Sequence, residues 1–224
     1  MNENLKIKDS TKHLILCEGR DEKTFFIFYL DHYKKIGYEK YNEIQLEDIG
    51  GINDLDKGME NWTYTSGYDQ LKSFGVIRDA EKDSEGAIQS VRSSFEKINL
   101  ETSEQCFKLK KNNNGPDTVF GILPGIKTNG KWENGTLEDL CLKILKDEQY
   151  ASKMACVDEY LKLTQEKHKY KIKHLHKSRL HTYLSSNDKY IGSKIGEASK
   201  MGAFDFENEN LSNFKAMFDS IVGY

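Results

Sequence analysis

The sequence predicts an α/β fold with a mostly parallel central sheet flanked by helices, followed by a C-terminal helical extension. Three apolar runs, at residues 14–17, 73–78 and 118–123, are too short for buried helices and match interior strands. Helical patterns follow the first two runs, and this alternation of strand and helix favours right-handed parallel connections. A chain of 224 residues is long enough to bury the core of one large α/β domain.

The N-terminal elements follow from local patterns. The apolar spacing of Phe25, Phe26, Tyr29 and Leu30 predicts a helix packed on the first strand. Alternation over residues 43–49 predicts a second strand. Two further helices are predicted, and a cap residue precedes each of them: residues 54–62 with Asn53 as the cap, and residues 86–98 with Ser84 as the cap.

The second half of the chain is predicted to be more helical. Residues 106–110 form a possible strand that pairs with 118–123 as a hairpin, and residues 124–135 form a long loop. Thr136 is predicted to cap a helix ending near Leu145, and residues 149–184 have a helical pattern. A stripe of apolar residues then predicts a terminal amphipathic helix, formed by Phe214, Met217, Phe218 and Ile221. We divide the chain into an α/β core at 1–148 and a basic helical extension at 149–224 that packs on it as one compact domain.

Composition restricts the class of protein. The net charge is only −3, so the overall charge does not predict nucleic-acid binding. Only the local distribution of basic residues can indicate such binding. No apolar run is long enough to cross a bilayer and the N-terminus lacks a signal-peptide pattern, which predicts a cytoplasmic protein. The four cysteines lack the spacing of a zinc site and are expected to be reduced thiols.

Acidic residues follow two of the predicted strands. Glu18 and Gly19 come directly after the first strand, and Asp79, Glu81 and Asp83 follow the strand at 73–78. The carboxyl edge of an open parallel sheet is where ligands bind, so these acids are expected to meet there. Carboxylates that meet repel one another unless a proton or cation compensates, and their oxygens suit Mg²⁺ or Mn²⁺. The alternative is that they are solvated loop acids.

The same residues resemble a family. Glu18-Gly19 with the later Asp79-Ala80-Glu81 is similar to the Toprim domain of topoisomerases, bacterial primases, small RNA-maturing nucleases and OLD-family nucleases. The sequence departs from that pattern at Glu81, where aspartate is usual. Glu22 matches the second acid of the OLD-type pattern. Residues 135–140 and 177–184 resemble an uncharacterised group of free-standing Toprim-like proteins.

This resemblance implies a Toprim-like, Rossmann-like sheet and a Mg²⁺- or Mn²⁺-dependent nuclease, with a setting in phage defence. It assigns Glu18 as a metal ligand or general base and Lys177 as the residue that stabilises charge at phosphorus. The implied metal ligands are Glu18, Glu22, Asp79, Glu81, Asp83 and Glu138. For Glu138, the alternative is an ordinary acid in the first turn of a helix.

Basic residues supply candidate contacts to a nucleic-acid backbone. Lysines dominate the segment between Lys162 and Arg179, where the alternative is a solvated helix face. A phosphodiester substrate needs cations along its backbone as well as a metal at the scissile bond, which favours a binding surface. The candidates are Lys127, Lys131, Lys169, Lys171, Lys173 and Arg179.

The leading hypothesis is therefore a metal-dependent nuclease acting on DNA or RNA. The main alternative is a non-catalytic nucleic-acid or nucleotide-binding module that uses the acids as a metal-dependent phosphate clamp. A third possibility is a regulatory partner of a defence or toxin system, in which the surface and not the acids would be sensitive to mutation. The sequence leaves the oligomeric state and the choice between DNA and RNA open.

Overall fold

The computed structural model describes residues 5–50 and 55–224, and its centre is a four-stranded parallel sheet. The strand order is β2-β1-β3-β4, with every neighbouring pair parallel. The strands are β1 His13–Cys17, β2 Ile44–Asp48, β3 Ser73–Asp79 and β4 Asp117–Leu123. The α/β prediction is confirmed, and the parallel register brings the carboxyl ends of β1, β2 and β3 to one edge.

Helices cover both faces of the sheet. The first three are α1 Arg20–Lys35, α2 Leu55–Thr63 and α3 Ser84–Lys97. Those after β4 are α4 Leu137–Lys143, α5 Tyr150–His168, α6 Leu175–Ser185, α7 Ile195–Lys200 and α8 Ser212–Val222. On one face, the ring of Phe26 in α1 contacts the rings of Phe214 and Phe218 in α8. On the other face, Phe95 of α3 packs on Phe74 of β3.

Four local predictions differ from the structure. Residues 106–110 form no regular strand, because Phe107 has a φ of 63° and only a single antiparallel bridge joins Lys110 to Thr118. The loop at 124–135 contains a short antiparallel pair, β5 Lys127–Thr128 and β6 Lys131–Trp132. The helical segment at 149–184 is broken between α5 and α6. The cap of α3 is Asp83 instead of Ser84. Asn53 lies outside the described residues.

The predicted extension shares its hydrophobic core with the rest of the chain. Phe214, Met217 and Phe218 of α8 are fully buried in the same cluster as the strands of the sheet. Gly196 of α7 lies directly against Thr24 of α1. Residues 149–224 therefore contribute side chains to the same hydrophobic cluster as the sheet.

Gly75, in the middle of β3, occupies a position without room for a side chain. A Cβ atom there would lie 2.6 Å from Ile15 Cδ1 and 2.8 Å from Val119 Cγ1. We expect Gly75→Ala to lower the free energy of unfolding by about 1–3 kcal/mol, because the neighbouring strands would have to separate. Urea denaturation checks this expectation, and an unchanged midpoint would show that the strands adjust without cost.

Candidate active site

An acidic pocket of about 470 Å³ opens at the carboxyl ends of β1, β2 and β3. Among the described residues, the acids lining this pocket outnumber the cations. The acids are Glu18, Asp21, Glu22, Asp48, Asp79, Glu81 and Glu138, and the cations are Arg20, Lys177 and Lys194. The pocket therefore has an excess of negative charge on the protein side.

Glu18 and Asp79 are held together by the backbone of the sheet. The Glu18 N–H donates to Ile77 O at 3.1 Å, and Glu18 Oε2 accepts a hydrogen bond from the Asp79 N–H at 3.2 Å. Asp79 is only 7% exposed, and its Oδ1 accepts a hydrogen bond from the Leu137 N–H at 3.0 Å. The acids that follow two separate strands thus meet, and each carboxylate is held by a main-chain donor.

Glu138 enters the same pocket from the first turn of α4. It is 5% exposed, and its Oε2 accepts a hydrogen bond from Thr136 Oγ1 at 2.8 Å. Its other oxygen lies 3.3 Å from Lys177 Nζ, on α6. Thr136 precedes α4 as predicted, and its N–H donates to the carboxylate of Asp139 at 2.9 Å. The capping acid of α4 is therefore Asp139, which leaves Glu138 facing the pocket.

Burial and mutual repulsion disfavour ionisation of the pocket acids. Burial raises the pKa of Asp79 well above its usual value, and the nearby carboxylates of Glu22, Glu18 and Glu138 raise it further. Burial also raises the pKa of Glu22, with Glu138 and Glu18 adding to the effect. At neutral pH the cluster therefore favours any partner that brings positive charge.

Two cations partly compensate the acids. Arg78 is 4% exposed and its Nε lies 3.9 Å from Glu18 Oε2. Burial raises the pKa of Glu18, and the charge of Arg78 only partly opposes this shift. Burial alone would lower the pKa of Lys177, but the charges of Glu138, Asp79 and Glu22 outweigh it and raise the pKa. Lys177 therefore carries a positive charge at the rim of the pocket.

The structure brings most of the predicted metal ligands together. Glu18, Glu22, Asp79, Glu81 and Glu138 all line the pocket, as does Lys177. Asp83 does not: its side chain accepts a hydrogen bond from the Gly86 N–H and caps α3. Glu81, with a φ of 53°, turns the chain between the pocket and that cap.

The predicted nucleic-acid contacts lie outside the pocket. Lys127 and Lys131 are exposed on β5 and β6, and Lys127 Nζ lies 4.4 Å from the centre of the Trp132 ring. Lys169, Lys171 and Lys173 are exposed in the loop between α5 and α6. Arg179 of α6 donates two hydrogen bonds, of 2.7 and 3.0 Å, to the carboxylate of Asp158 on α5. Its guanidinium group therefore links α6 to α5.

Sequence reasoning missed several residues of this site. Asp48 ends β2 opposite Cys17 in the register, and the same edge argument applied to the second strand would have found it. Lys194 comes from the turn before α7, and no local pattern indicates its position. Arg78 and Asp79 are neighbours in β3, so their side chains leave the strand in opposite directions. The burial of Arg78 beside Glu18 depends on the pairing of β1 with β3, which the local sequence does not indicate.

The donor set fits a hard divalent cation in its chemistry, since all the acids offer oxygen ligands. Within residues 5–50 and 55–224, however, no three His, Cys, Asp or Glu side chains are already gathered at the spacing of a metal site. The site residues would therefore have to draw closer around an ion. A cation would offset both the burial and the mutual repulsion of the carboxylates of Glu18, Glu22, Asp79 and Glu138, and this gain in free energy would favour that movement.

A comparison with protein families gives one match, which covers residues 12–223. The matching family is described as "Protein of unknown function (DUF3226)". The chain belongs to this DUF3226 family. No curated protein and no solved structure was found to match this DUF3226 chain. In the described part of the DUF3226 chain, no helix has the length and apolar character needed to cross a membrane. The family description names no activity, so the function is inferred from the chemistry of the pocket.

Proposed function

We propose that this protein is a Mg²⁺- or Mn²⁺-dependent phosphodiesterase of Toprim type that hydrolyses nucleic acid. The observation that carries the proposal is the meeting of Glu18 and Asp79, with Glu22 and Glu138 beside them, in one pocket at the carboxyl edge of the sheet. Carboxylates gathered in this way are compensated by a proton or a cation, and their oxygens are the ligands that a hard divalent cation prefers.

In this proposal Asp79 and Glu81 would hold the ion, and Glu22 and Glu138 would supply further oxygen ligands to it or to a second ion. A bound divalent ion supplies positive charge at the phosphate and a water molecule of lowered pKa. Glu18 acts as the general base, since it lies beside Asp79 in the pocket and its burial raises its pKa, which makes its carboxylate a stronger base for an attacking water. Lys177, at the rim, stabilises the negative charge that develops on the phosphoryl oxygens.

A second candidate is a metal-dependent nucleic-acid-binding module without turnover. The pairing of Lys177 with Glu138 favours it, because this ion pair occupies the ammonium group that a nuclease would need at the phosphoryl oxygens. Both functions use the same pocket, so activity must be measured to separate them.

The deciding experiment incubates the purified protein with labelled single-stranded DNA, duplex DNA and tRNA. Each substrate is tested with Mg²⁺, with Mn²⁺ and with EDTA. We expect cleavage of at least one substrate in either metal and none in EDTA. Tight binding without cleavage under all metal conditions would instead support the binding module.

The Asp83→Asn variant is the matched control for this experiment. Asparagine still caps a helix, so α3 should remain intact. Because Asp83 points away from the pocket, its cleavage rate should stay within about twofold of the parent. A large loss in this variant would mean that the pocket acids named here are not the ones that act.

A further inference from the structure

The loop between α5 and α6 presents an exposed aromatic ring among lysines. We call residues 169–174 the basic loop; it contains Lys169, Tyr170, Lys171, Ile172 and Lys173. Tyr170 is 59% exposed and the three lysines are exposed. In the part of the chain that the structure describes, none of these lysines makes an ion pair. The loop therefore offers uncompensated positive charge together with a free aromatic face.

The fold holds the basic loop in a defined conformation. Gln165 O accepts a hydrogen bond from the Tyr170 N–H at 3.2 Å, and Gln165 Oε1 accepts one from the Ile172 N–H at 3.1 Å. Lys169 ends α5 with a φ of 48°, which turns the chain sharply. Ile172 packs against the core cluster. With Ile172 anchored inward, Tyr170 is left facing solvent.

The basic loop leads directly to the acidic pocket. It ends where α6 begins at Leu175, and Lys177, in the first turn of α6, reaches Glu138. At a rise of about 1.5 Å per residue, the end of the loop lies within about one helical turn of Lys177. The basic loop therefore ends close to the rim of the pocket.

Lysines alone would bind the phosphates of single and double strands alike. An exposed aromatic ring adds a preference, because it stacks on the face of an unpaired base, whereas the faces are covered in a duplex. Lys169 and Lys171 flank Tyr170, so the loop offers cations for phosphates on either side of one ring that can stack on an unpaired base.

We propose that the basic loop binds single-stranded nucleic acid, with Tyr170 stacking on an unpaired base and the flanking lysines contacting phosphates. This inference rests on the proposed function, since it names the form of strand that reaches the pocket. It predicts that single strands or unpaired segments, of DNA or RNA, bind better than duplexes.

The test measures dissociation constants by fluorescence anisotropy in EDTA, where no turnover occurs. The probes are a short oligothymidylate, the matching oligouridylate and a duplex of the same length. We expect Tyr170→Ala to weaken binding of the single strands by about tenfold, because one stacking contact is lost, and to change duplex binding by less than about twofold. Tyr170→Phe should bind like the parent. The two single-stranded probes show whether the loop prefers DNA or RNA.

Tyr160→Ala is the matched control, because Tyr160 is also 59% exposed but lies on α5 outside the basic loop. It should leave all three affinities unchanged. Lys171→Gln should weaken the binding of single strands and of the duplex alike. The slope of log affinity against log salt concentration should fall by the amount expected for about one phosphate contact.

The proposal is overturned if Tyr170→Ala has no effect, or if it weakens duplex binding as much as single-strand binding. Failure of the proposed function would look different, since Tyr170-dependent binding would persist in EDTA while no metal supported cleavage.

Discussion

Replacing Asp79 with asparagine is expected to lower metal-dependent cleavage by about 10³-fold or more while leaving the fold intact. Asparagine keeps the Oδ1 atom that accepts the Leu137 N–H, so the local geometry is retained. The substitution removes the negative charge that would bind the ion. We expect this loss to raise the activation free energy by several kcal/mol. Initial rates at saturating Mn²⁺, compared with those of Asp83→Asn, check the expectation.

The same substitution should stabilise the metal-free protein. Because the folded pKa of Asp79 is raised, its ionised form destabilises the fold. That destabilisation is absent at pH values below the usual carboxyl pKa and grows as pH rises through the folded pKa. In EDTA, Asp79→Asn should therefore match the parent near about pH 4 and exceed it by about 1 kcal/mol, or about 2–4 °C in Tm, near about pH 8.

Thermal denaturation across this pH range provides the measurement. A variant with lost activity and raised stability would identify the carboxylate as a functional group that the fold tolerates at a cost. If Asp79→Asn were instead less stable at pH 8 in EDTA, the protein's own cations would already balance the acids. The pocket would then have no need of a metal ion.

Truncating Phe218 to alanine is expected to destabilise the whole chain by about 3–5 kcal/mol. Phe218 is fully buried in α8 and contacts the rings of Phe26, Tyr29 and Tyr41. Since these partners belong to the first quarter of the chain, the loss should extend to the entire sheet.

Tryptophan fluorescence provides a suitable probe, because both tryptophans, Trp62 and Trp132, lie outside residues 149–224. A fall in the denaturant midpoint of their signal would show that α8 and the sheet unfold together. Ile191→Ala, at a position that is 61% exposed, should leave the midpoint within about 0.5 kcal/mol of the parent. A midpoint unaffected by Phe218→Ala would mean that the extension unfolds separately.

The strand ends could be predicted because they depend on local sequence. Short apolar runs identified β1, β3 and β4, and parallel strands have their carboxyl ends at the same edge. Placing Glu18 beside Asp79 needed only that rule. The structure places Asp83 at the cap of α3 and not in the pocket. The left-handed conformation of Glu81, which turns the chain there, has no signal in the hydrophobic periodicity.

Other features depend on contacts that are distant in sequence. The break between α5 and α6 interrupts a continuous helical pattern, and it is stabilised by the side chain of Gln165 bonding to the loop. The predicted strand at 106–110 is replaced by a turn that packs the ring of Phe107 against Gly121, where no side chain intervenes. Neither arrangement has a signal in the hydrophobic pattern.

The segment that follows β4, residues 124–135, is bonded to the acidic end of β3 at several points. Gly135 O accepts the Glu81 N–H at 2.8 Å, and the side chain of Asn134 bonds to Ser84 N and Lys82 O. On the other side, Asn213 of α8 donates to Gly125 O at 2.8 Å. The hairpin of β5 and β6 projects from between these two anchored ends.

Insertions or deletions at the tip of that hairpin should therefore leave the acids undisturbed. Within the DUF3226 family, this projection is where we expect chain length to vary most freely, because such changes would leave the hydrogen bonds that hold the acidic pocket unaltered.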